Sequence, residues 1–82
     1  MPNLDLHLAS VRFLRVDLEL GRTFAKLARR EGDLLARSRL RAKAENAHDA
    51  VVRLLSGIAA TEDERVEIEL GLTSLHRAIR EI

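Results

Sequence analysis

The chain has 82 residues, with 14 Lys or Arg against 13 Asp or Glu, three His, two Phe, and no Trp, Tyr or Cys. At this length a folded chain buries only about 60% of the surface its unfolded form exposes, so contact with a partner adds useful stability. The missing cysteine excludes a disulfide framework or a thiolate metal site, and the near-balanced charge excludes a uniformly basic or acidic protein.

The start, Met1-Pro2-Asn3-Leu4-Asp5, lacks the basic region and long apolar run of a signal peptide, and no apolar stretch approaches membrane-spanning length. A soluble cytoplasmic protein with no membrane contact is expected. Leu and Ala dominate the apolar residues, and the single proline is Pro2, a composition that favours helix. Leu4–Leu8 and Val16–Leu20 alternate like strands, but the alternation fails at Ala9-Ser10 and Phe13-Leu14, and no turn residue interrupts the region before Glu31-Gly32-Asp33.

The first helix is predicted from about Leu4 to Arg30, with Arg29 and Arg30 at the negative end of its dipole. Gly32 ends it, and Asp33 caps a second helix from about Leu34 to Ser56, which Gly57 closes in a left-handed conformation. Thr61-Glu62-Asp63-Glu64 forms a capping box for a third helix over 62–81. Connections this short make consecutive helices antiparallel neighbours. The predicted fold class is all-α, an up-down-up three-helix bundle in which the whole chain is one domain.

The second helix carries one apolar stripe, Ala36, Leu40, Ala44, Ala47, Val51, Leu54, Leu55 and Ile58, whose small middle residues permit close helix approach. The first helix has two. Leu6, Phe13, Val16, Leu20, Phe24 and Leu27 fall on one side and are expected in the core, while Leu4, Leu8, Val11, Leu18 and Ala25 fall nearly opposite. The third helix repeats this more weakly, with Ile68, Leu72, Leu75, Ile79 and Ile82 inward and Val66 and Leu70 outward. Leaving several Val and Leu in water forgoes roughly 1.5–3 kcal/mol each. The expectation is therefore a partner, a second copy or another protein subunit, against Leu4, Leu8, Val11 and Leu18; wrapping of the third helix round the first is the alternative.

Residues 16–30 return at 66–80 with seven of fifteen positions identical, led by Val16-Asp17-Leu18-Glu19-Leu20-Gly21 against Val66-Glu67-Ile68-Glu69-Leu70-Gly71. Leu20-Gly21 followed by Phe24 resembles the Leu-Gly-x-x-Tyr signature of tetratricopeptide first helices. Ala44, His48 and Val51 resemble the spacing of the second helix, and Gly32-Asp33 the turn between them. The chain is similar also to microtubule-interacting-and-transport three-helix domains. It departs from the tetratricopeptide pattern in its offset of fifty residues rather than about 34, in His48 at an aromatic position, and in Ser74 where Phe24 stands in the first copy. The resemblance implies a peptide- or protein-binding scaffold with no catalytic residue.

The side chains offer little chemistry. His7, His48 and His76 stand one on each predicted helix, without a second ligand at metal-binding spacing, and His48 and Asp49, as neighbours, diverge around the helix. Glu45 and Asp49 read as a solvated face; Gly21 and Gly71 are single helical glycines that point to close helix contact. Neither catalysis nor a cofactor, metal or small-molecule substrate is expected. Residues 22–43 hold eight basic residues against two acidic ones, among them Arg29, Arg30, Arg37, Arg39, Arg41 and Lys43, while 44–69 hold seven acidic against two basic. The basic hairpin is the alternative binding surface, for nucleic acid or an acidic partner. With only Phe13 and Phe24 as aromatics, phosphate contact would rest on charge alone, which argues against nucleic acid.

Overall fold

The turn residues set the three helices of the computed structural model: α1 (Pro2–Arg30), α2 (Leu34–Leu55) and α3 (Glu62–Arg80). It describes residues 2–82, with side chains from Ser10 onward. At the first turn Asp33 Oδ1 accepts from the Ala36 amide at 2.9 Å, satisfying one of the unpaired donors that open α2. Arg37 reaches back and donates to the Glu31 carbonyl through Nε (3.0 Å) and Nη2 (2.7 Å), which ties α2 to the end of α1. At the second turn the capping box is complete: the Glu64 amide donates to Thr61 Oγ1 at 3.2 Å, and the Thr61 amide to Glu64 Oε1 at 2.9 Å.

The glycine stops work differently from expectation. No glycine among the described residues has a positive φ. Gly57 does not adopt a left-handed cap; its amide donates to the Leu54 carbonyl at 3.1 Å and the Ile58 amide to that of Leu55 at 3.3 Å, so α2 tightens into a right-handed final turn.

The three helices form an all-α up-down-up bundle round one core. Lys43 over the Phe24 ring and Ala47 beside Gly21 mark the antiparallel register of α1 and α2. A ladder spaced by seven residues marks α1 and α3 as parallel: Arg15 to Glu67, Arg22 to Ser74, and Arg29 to Glu81. The core is built from Leu14, Leu18 and Ala25 of α1, Ala44, Val51 and Leu55 of α2, and Ile68, Leu75 and Ile79 of α3. The inward stripes of α2 and α3 are as expected, except that Leu54 is exposed.

On α1 the two faces are reversed, except that Phe24 packs against the core as expected; Leu6 lies outside the described side chains. Val11 (2% exposed) and Leu18 (6%) are core residues, as is Ala25, whereas Phe13, Val16, Leu20 and Leu27 face outward. Val11 and Leu18 are enclosed by their own chain and offer nothing to a partner; Leu4 and Leu8 lie outside the described side chains. The reason is size. The inward face presents Gly21, Ala25 and Ala28, which let α1 lie close to two helices at once, while the bulkier outward set would hold them apart.

Candidate functional site

Two seams with the same 3–4 spacing run along α1. The inner one is Val11, Leu14, Leu18, Gly21, Ala25 and Ala28; the outer one is Phe13, Val16, Leu20, Thr23 and Leu27. Each outer residue follows an inner one by two positions, about 200° round the helix, so the second seam lies back to back with the first. Its large members are 55% (Phe13), 65% (Val16), 45% (Leu20) and 47% (Leu27) exposed. The Thr23 hydroxyl donates to the Glu19 carbonyl at 3.0 Å, so the one polar member is satisfied within its own helix. A 3–4 apolar spacing on an unpaired helix face is the pattern one helix offers another.

The internal repeat explains why α1 rather than α3 carries the seam. Matching positions behave alike: Leu18 and Ile68 are buried, Leu20 and Leu70 exposed, and Thr73 bonds back to Glu69 as Thr23 does to Glu19. But α3 has Asp63 where α1 has Phe13, and Arg77 where α1 has Leu27. The α3 outer face is therefore only Val66 and Leu70 among charges.

The glycines of the repeat do hold close contacts. A methyl group on Gly21 would stand 2.8 Å from Leu75 Cδ2, and one on Gly71 would stand 2.8 Å from Leu18 Cδ1. Between them α1 and α3 leave an open groove of about 480 Å³ edged by Arg15, Glu19, Arg22, Glu67 and Leu70. Its carboxylates are paired, Glu67 with Arg15 at 2.8 Å and Glu19 with Arg22 at 3.3 Å.

The basic hairpin is largely engaged internally. Arg29 pairs with Glu81 at 3.3 Å, Arg37 with the Glu31 carbonyl, Arg41 with Glu45 at 2.9 Å, and Lys43 lies 5.4 Å from the Phe24 ring centroid. Of the six residues singled out, Arg30 and Arg39 alone make no such contact among the described residues. His48 and Asp49 do meet, against the expectation that neighbours diverge: Nδ1 lies 3.2 Å from Oδ1. His48 also joins α2 to α3, with its ring centroid 5.8 Å from that of His76. Among the described residues no group of three or more His, Cys, Asp or Glu could hold a metal, and no helix is long and apolar enough to cross a membrane.

Comparison with known protein families, curated proteins and solved structures found no match to the chain.

Proposed function

We propose that this chain is a small non-enzymatic helical interaction module that self-associates through the outer seam of α1. The observation that carries the reading is the row Phe13, Val16, Leu20 and Leu27, four large apolar side chains in helix-docking spacing with their own chain packed on the opposite side. Covering them stabilises an assembly by an amount that a domain of this size uses: full burial of one such side chain is worth roughly 1.5–3 kcal/mol, and about half of each is still in water.

The basic hairpin gains no such support, because four of its six cations are already held by internal partners. The test is sedimentation equilibrium of the native chain beside Val16→Glu and Leu20→Glu. The native chain is expected to self-associate, and both variants to be monomers with undiminished helical circular dichroism. A native chain that stays monomeric up to millimolar concentration would refute the proposal.

A further inference from the structure

Resting on that reading, we infer that the second copy lies with its α1 parallel and in register, related by a two-fold axis running along the seam. The orientation follows from the charges beside the apolar row. In a two-helix pairing the residues flanking this seam are Arg12, Glu19 and Lys26 on one side and Asp17, Phe24 and Glu31 on the other, and flanking charges set the orientation of paired helices. Parallel and in register, each flanking residue meets the one five positions further along the other copy. Arg12 then faces Asp17, Lys26 faces Glu31, and Glu19 faces Phe24, beside whose ring the Lys43 ammonium already sits at 5.4 Å. Both charge-to-charge contacts are complementary, and the two-fold axis makes each one twice.

Arg12, Asp17 and Lys26 are suited to these contacts, since none has a hydrogen bond or ion pair of its own among the described residues. Glu19, by contrast, is held by Arg22, and Glu31, just past the end of α1, accepts from the Asp33 amide, so the Arg12–Asp17 pair carries most of the orientation. Antiparallel arrangements do worse. The register that keeps Val16 against Leu20 sets Glu19 against Glu19 and Arg12 against Lys26; sliding one heptad relieves those charges but either brings Arg30 against Phe13 or, the other way, leaves Leu27 opposite Pro2 at the start of the helix and shortens the shared seam. Leu at the first seam position with Val and Thr at the second leans toward higher oligomers in bare coiled coils. Here α2 packs beside the Phe24 flank of α1, where Lys43 lies over the ring, which narrows the open face toward a single neighbouring helix.

Because the chain has no cysteine, the orientation can be read from single cysteines placed in the exposed seam. Phe13→Cys and Thr23→Cys are each expected to close a disulfide with their own kind under mild oxidation, and a mixture of the two to give no mixed product, whereas the antiparallel register with Val16 against Leu20 would set positions 13 and 23 together. Charge exchange provides a second reading. Arg12→Glu is expected to weaken self-association at least tenfold, and Arg12→Glu with Asp17→Arg to restore it, because the exchanged pair meets again only in the parallel register. Mixed Phe13→Cys to Thr23→Cys crosslinks, no recovery in the double variant, or a mass above the dimer would overturn the inference while leaving self-association through the seam intact. A monomeric native chain would overturn both.

Discussion

Leu75 of α3 occupies the space that a side chain on Gly21 of α1 would take. A Cβ there would lie 2.8 Å and 3.3 Å from the two Leu75 methyls and 3.2 Å from Ala47 Cβ. All three helices meet at that point, and Leu75 is fully buried, so it has nowhere to withdraw. Gly21→Ala is therefore expected to destabilise the bundle. The gain of about 1 kcal/mol in helix propensity is outweighed by an overpacking cost of about 1–3 kcal/mol. Gly71→Ala meets only Leu18 closely, with its next contacts at 3.7 Å, and is expected to cost less. Urea denaturation of the two variants beside the native chain checks the order.

The two faces of α1 separate folding from association. Val11→Glu and Leu18→Glu place a carboxylate where almost no water reaches, and are expected to unfold the chain in circular dichroism. Val16→Glu and Leu20→Glu stand on the exposed face, and are expected to shift the unfolding midpoint of the monomer little. A folded, monomeric Leu18→Glu variant would show that the inner seam had been misassigned.

Helix starts make a second stability test. Thr61→Ala removes the hydroxyl that receives the Glu64 amide, and Asp33→Ala the carboxylate that receives the Ala36 amide. Each is expected to cost about 1 kcal/mol, while the corresponding glycine variants lose only a few tenths. Thermal melts of the four proteins measure the difference.

Arginines of similar appearance are expected to differ in weight. Arg15 and Glu67 form a two-point ion pair between α1 and α3, yet both side chains are about half exposed, so Arg15→Ala should cost under about 1 kcal/mol and less in high salt. Arg37 gives two hydrogen bonds to one carbonyl in a part-buried turn. Arg37→Ala is expected to cost more, about 1–2 kcal/mol, and to be nearly insensitive to salt, because the partner is a neutral carbonyl. Denaturation at low and high salt separates the two.

Much of the architecture was local and therefore readable. The cap at Asp33, the box at Thr61 and Glu64, and the absence of internal proline depend on residues within four positions of one another, and they place the helix starts without reference to the rest of the molecule. The apolar stripes of α2 and α3 were equally legible because each has one dominant side. The single glycines in the repeated string also signalled close helix contacts correctly.

Which side of α1 faces inward was a question of another kind. Both sides carry apolar residues at the same spacing, and the side with more bulk, Phe13, Val16, Leu20 and Leu27, invites assignment to the core. The three-helix packing reverses that ranking, because a helix wedged between two others needs Gly21, Ala25 and Ala28 at the contact more than it needs volume. The amino-acid order alone determined that this chain folds as three short-linked helices and has more apolar surface than one bundle buries. Only the tertiary arrangement decided where the excess lies, since close approach depends on how small residues of separate helices are set against each other, and no single helix contains that information.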